Sequence, residues 1–203
     1  MVGKLVWVNG PFGGGKTQTA WEIHRRLPGS FVCDPERVGF GLHGMMPPAL
    51  RDDFQDLAAW RQGVFEALDV SLRSHPGVLI APMTLVEPAY FEEIVGRLRA
   101  AGHDVHHFAL LAERETVLRR LRERGLGTGL KRESFAVRKL DHCLDRLGGP
   151  LFAEHVHTDR VSVPQVADLI ADRAGLLLRP NNDGPLTHRL RKAWRGIRHI
   201  RLG

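Results

Sequence analysis

The chain has little of what holds secreted, membrane or fibrous proteins together. It carries two cysteines, Cys33 and Cys143, in 203 residues, too few for a disulfide framework, so a reducing compartment is expected. Its longest apolar stretches, residues 5–8, 78–86 and 108–112, fall far short of the ~20 residues a membrane helix needs. Met1 runs straight into a strand-like segment, so no signal peptide is expected and a cytoplasmic location follows. There is no internal repeat. With 43% hydrophobic and 26% charged residues, the composition excludes a disordered or collagen-like chain and suits one globular domain with a short appendage.

Net positive charge is also scarce outside the C-terminal end. The net charge is +6, but residues 181–203 hold Arg189, Arg191, Lys192, Arg195, Arg198 and Arg201 against one acid, Asp183, a tail of +5 on a body of +1. A near-neutral body lacks the basic face that nucleic acid requires. We therefore expect a domain over residues 1–180 and a separate basic tail over 181–203. From 185 to 202 the tail places Leu186, Leu190, Ala193, Trp194, Ile197 and Ile200 at helical spacings among the cations. Such an amphipathic helix suits an anionic membrane surface, at ~1 kcal/mol per cation near it; docking on the domain or on a second copy is the alternative.

What is present is an alternation of strands and helices. Strands are expected at 4–9, 31–33, 78–82, 105–112 and 154–157, with helices at 16–27, 52–73, 88–101, 113–124, 132–147 and 164–174 and a loop over 34–50. This pattern implies an α/β fold, a parallel sheet covered on both faces. Between the first strand and helix, Gly10-Pro11-Phe12-Gly13-Gly14-Gly15-Lys16-Thr17 satisfies every fixed position of G-x-x-x-x-G-K-[ST]. Glycines let backbone N–H groups wrap a polyphosphate, and the helix that follows presents its positive end. Lys16 would reach the β- and γ-phosphates of ATP, and Thr17 would hold one Mg2+ position. Gln18 completes the cofactor-binding stretch. No guanine-reading motif is present, so ATP is the expected nucleotide.

The remaining candidates surround that loop. Asp34 follows the second strand, at the sheet edge that borders the ligand crevice. It is a candidate base for a substrate hydroxyl and a second Mg2+ ligand through water; capping the next segment is its structural alternative. Glu36, Arg37, Phe40, Met45, Asp53, Gln55 and Thr84 are candidate substrate contacts. Arg120 and Arg124 share a helix face beside a Gly-rich segment, which suits a lid over about 120–138 that neutralises phosphate charge; Lys131, Arg132 and Arg138 are further cations there. The third strand ends without the acid a motor-type hydrolase uses for its metal, which favours a small-molecule kinase. His106 and His107 project to opposite strand faces, so no metal besides Mg2+ is expected.

Several of these segments taken together resemble the ATP-binding tunicamycin resistance proteins: residues 9–20, Asp34-Pro35-Glu36, Asp52-Asp53-Phe54-Gln55, Ala81-Pro82-Met83-Thr84, His106-His107-Phe108 and the basic end at 199–201. Asp34 also matches the catalytic acid position of chloramphenicol phosphotransferase, and Arg120 and Arg124 match the R-x-x-x-R lid pattern of nucleoside monophosphate kinases. The resemblance implies a P-loop, nucleoside-kinase-like three-layer fold with a five-stranded parallel sheet in the order 2-3-1-4-5. It further implies ATP binding and protection against a lipid-tailed nucleoside antibiotic. Mg·ATP phosphorylation of a drug hydroxyl is the leading expectation. Nucleotide-gated sequestration at the membrane, or a kinase for an ordinary metabolite, are the alternatives.

Overall fold

The first strand, β1 (Lys4–Asn9), is buried at five of its six positions, as a strand covered on both faces must be. It lies at the centre of a five-stranded sheet in a computed structural model that describes residues 3–125 and 130–181, the side chains of 124–136 and 138 excepted. The other strands are β2 (Phe31–Val32), β3 (Val78–Pro82), β4 (Asp104–Leu111) and β5 (His155–His157). All pairings are parallel and the order is β2-β3-β1-β4-β5, with Val8 opposite both Pro82 and Phe108. This is the order the resemblance implies.

Alternation along β1 builds the three layers. Leu5 and Trp7 face one side, where Trp60, Val64, Leu68 and Leu72 of α3 (Ala58–Ser74) meet Phe91, Ile94, Leu98, Leu147 and Phe152. Val6 and Val8 face the other, against Ala20 and Ile23 of α1 (Lys16–Arg26) and Val166, Ala167 and Ile170 of α8 (Val163–Arg173). Ser162 starts α8 with a capping box, its backbone N–H donating to the Gln165 side chain at 2.8 Å. A small third cluster of Val117, Leu121 and Leu140 joins α6 (Arg114–Gly125) to α7 (Leu130–Leu147).

Three segments differ from expectation. The helix expected over 52–73 starts only at Ala58, after a 3-10 turn, Phe54–Asp56. The stretch expected as a loop over 34–50 contains α2 (Glu36–Gly44) and a 3-10 turn, Pro48–Leu50. Its glycines read as breakers, yet Gly39 is where α2 crosses Phe54: a β-carbon there would lie 2.4 Å from that ring. The helix expected over 88–101 is α4 (Pro88–Phe91) and α5 (Arg97–Ala100) joined by a π-helical turn, Glu92–Gly96, a feature residue pattern does not announce. The last described residues, Arg179 and Asn181, are tied to Arg26 and Arg25 of α1. The amphipathic helix expected over 185–202 lies outside the described residues.

Candidate functional site

The loop between β1 and α1 folds as its glycines demand. Gly13 and Gly15 have φ of 79° and 95°, left-handed values that side chains resist. A β-carbon on Gly14 would lie 2.9 Å from the Pro11 carbonyl oxygen. The first backbone bond of α1 is Thr19 N–H to Gly15 O, so the N–H groups of Thr17 and Gln18 lie ahead of it at the open end of the helix. Gly15 caps that end with no side chain, and no acid lies in the first turn. The result is a helix terminus with no side-chain cap, suited to an anion. Lys16 lies buried across it, its Nζ donating to Pro11 O at 3.0 Å and standing 5.4 Å from the Phe12 ring centre.

Asp34 lies beyond β2, whose pairing to β3 extends to Cys33 N–H on Ile80 O at 2.9 Å. With β3 alone between β2 and β1, Asp34 and the phosphate loop leave the same sheet edge two strand spacings apart, about 10 Å. The Asp34 Oδ1 accepts from Glu36 N–H at 3.1 Å, so the capping role exists and also fixes the carboxylate. Trp60 Nε1 donates to Pro35 O at 3.0 Å and holds this corner against α3.

The other candidates divide. Asp53 joins the centre: its Oδ1 accepts from Gln55 N–H at 3.1 Å and its Oδ2 pairs with Lys139 Nζ of α7 at 2.7 Å. Burial disfavours the Lys139 charge, but Asp53 and then Asp56 outweigh it and hold its pKa above the ordinary lysine value. Lys139 also neighbours Cys143, whose thiol is pushed up by burial although Lys16 and Lys139 lower it. Thus α7 reaches both the phosphate loop and the Asp53 segment. Glu87 stands beside it, 3.2 Å from His142 Nε2. Gln55 contributes its backbone carbonyl to Arg61. On α2, Glu36 is half-buried, Arg37 is exposed and Phe40 sits edge-on to Phe54; Met45, just past its end, is 85% exposed.

Arg120 is bound to the segment that follows β5. Its guanidinium donates to Thr158 Oγ1 at 3.0 Å and Thr158 O at 2.7 Å, and burial draws its pKa down. The side chains of Arg124, Lys131, Arg132 and Arg138 lie outside the described residues, so the expected lid is seen only as the helices that flank it. Thr84 is buried, its hydroxyl donating to Gly10 O at 2.8 Å. Sequence reasoning passed over Asn9, His107 and Lys139. A buried asparagine ending an otherwise apolar strand was the available signal for the first. The other two depend on contacts across 98 and 86 residues of chain.

A parallel sheet in this order, with a glycine cradle at the end of its central strand, defines a P-loop protein with a kinase-like fold. Residues 5–150 match the AAA domain family. The chain is 34% identical to the tunicamycin resistance protein of Deinococcus radiodurans, with a TM-score of 0.73 over 88% of this chain and 99% of that one. It belongs to the AAA domain family of P-loop proteins and, within it, to the tunicamycin resistance proteins. More distant structures share the fold alone. A sugar kinase from Janibacter is 18% identical, with a TM-score of 0.60 over 84% of this chain and 93% of its own. APS kinase from Mycobacterium tuberculosis, solved with AMPPNP and APS, is 20% identical, with a TM-score of 0.58 over 84% and 96%. No curated protein matches the chain significantly.

Proposed function

We propose that the protein transfers the γ-phosphoryl group of Mg·ATP to a hydroxyl of a tunicamycin-like nucleoside antibiotic. The observation that carries this reading is the shared sheet edge: an uncapped glycine cradle with Lys16 at one strand exit and a fixed carboxylate, Asp34, two strands away. The N–H groups of Lys16, Thr17 and Gln18, with Lys16 Nζ, hold the phosphates. Thr17 would hold the magnesium ion, with Asp34 as the candidate to reach it through water, and the ion would neutralise phosphate charge. The acceptor oxygen bonds to the γ-phosphorus while the bond from that phosphorus to the β,γ-bridging oxygen breaks, and ADP leaves. Asp34 takes the hydroxyl proton. Lys16 bears the charge that develops between donor and acceptor, with Arg120 and Arg124 as the further cationic candidates. Glu36, Arg37, Asp53 and Gln55 are the polar acceptor-side candidates, whereas Thr84 is buried with its hydroxyl on Gly10 O. Phe40 and Met45 offer an apolar rim for a lipid tail, and the basic segment 185–202 would bring the protein to the anionic membrane surface where such a drug partitions.

The test is ADP release with and without tunicamycin. Drug-dependent release by the wild type, reduced at least a hundredfold in Asp34→Asn and Lys16→Ala, supports transfer. Release that is equal with and without drug, or untouched by Asp34→Asn, refutes it.

A further inference from the structure

β1 ends in a fully buried asparagine, and β3 exits through a buried threonine rather than an acid. The Asn9 carboxamide is saturated. Its Oδ1 accepts from Gly10 N–H at 2.8 Å and Leu85 N–H at 3.0 Å. Its Nδ2 donates to Leu85 O at 2.7 Å and approaches His107 Nε2 at 3.1 Å. Because two backbone N–H groups fix which end of the amide is oxygen, Nδ2 must be the donor to His107. His107 Nε2 is therefore an acceptor, its other nitrogen facing the Ala153 carbonyl. From the β3 side, Thr84 Oγ1 donates to Gly10 O at 2.8 Å. Both polar groups of the Gly10 peptide are thus held by side chains. A β-carbon at Gly10, whose φ is 150°, would stand 3.0 Å from Leu110 O of β4.

We propose that Asn9, Thr84 and His107 form a clamp that fixes where the phosphate-binding loop begins, making them positioning residues for the nucleotide's phosphates. Gly10 then gives no N–H to the ligand; the cradle starts further along, at Gly13. With its Gly10 end pinned to β3 and β4 and its Lys16 end running into α1, the loop keeps its curvature. A displacement of about 1 Å at its start carries every later donor off its phosphate oxygen. β3, which brings a metal-binding acid in hydrolytic relatives of this fold, here brings a hydroxyl that holds the loop.

The inference rests on the triphosphate reading of residues 10–17, and calorimetry separates the two. Wild type, Thr84→Val, His107→Phe and His107→Gln are titrated with Mg·AMPPNP and, separately, with adenosine. Removing one buried hydrogen bond at the loop's start should weaken Mg·AMPPNP binding roughly five- to tenfold in Thr84→Val and His107→Phe while leaving adenosine unchanged. His107→Gln, whose amide oxygen can accept from Asn9, should restore most of the loss. Unchanged Mg·AMPPNP affinity in folded Thr84→Val and His107→Phe overturns the clamp. So does a loss shared equally by adenosine, because that is a general structural defect. Should the wild type itself give no heat with Mg·AMPPNP, the triphosphate reading fails first and the clamp falls with it. Thr84→Val, nearly isosteric, keeps the test decisive if His107→Phe does not fold.

Discussion

Acidification should destabilise this protein through one side chain, His107. The ring is 4% exposed, sits edge-on to Phe91 at 4.9 Å between centroids, and accepts from Asn9. Burial lowers its pKa from 6.5 to about 4; the Ala153 carbonyl favours the proton, while Arg99 and His155 disfavour it. The unfolded chain therefore binds a proton that the folded chain refuses between pH 6.5 and about 4, so stability falls as pH drops through that window and levels off below it. Integrating those two values gives a loss relative to pH 7 of about 1 kcal/mol at pH 5.5 and about 2.5 kcal/mol at pH 4.5. Urea unfolding at pH 7.0, 5.5 and 4.5 measures it, with His107→Gln as the control in which every other titrating group is kept. The wild type should lose about 2.5 kcal/mol more than the variant between pH 7.0 and 4.5. Parallel pH profiles would refute both the neutral ring and the hydrogen bond that requires it.

Two further substitutions probe the geometry. Gly39→Ala drives a methyl to within 2.4 Å of the Phe54 ring, already in contact with Phe40, His43 and Trp60. It should cost about 1–3 kcal/mol in denaturant unfolding, and an unchanged midpoint would contradict the α2 packing. Gly13→Ala, at φ 79° with a methyl 3.0 Å from Leu121 Cγ, should weaken Mg·AMPPNP at least tenfold at a cost of roughly 1–2 kcal/mol in stability. Wild-type affinity would show that the loop does not need its left-handed turn.

Much of the frame was legible because its signals are local. The strand over 4–9, the glycine loop and the helix from Lys16 follow from an apolar run, a breaker pair and a motif, and all three occur within a residue or two of expectation. Asp34 at the β2 exit followed from the same alternation of elements. α2 was illegible because Gly39, Gly41 and Gly44 weigh against a helix by propensity, whereas tertiary contact demands a small residue at position 39. The helical face shared by Arg120 and Arg124 follows from their spacing, but the bonds from Arg120 to Thr158, just past the end of β5, are ones that no spacing rule brings into view. His107 was hidden for the same reason, because its partner Asn9 lies 98 residues away.

Phosphoryl transfer to a nucleoside drug is tested most directly by the mass of the drug itself. Tunicamycin incubated with the protein and Mg·ATP should gain about 80 Da, one phosphoryl group in place of a proton, with one ADP formed per molecule modified and no gain when Lys16→Ala replaces the wild type. Drug recovered at its original mass, from protein that demonstrably binds both it and Mg·ATP, would contradict the account and leave retention without chemistry in its place.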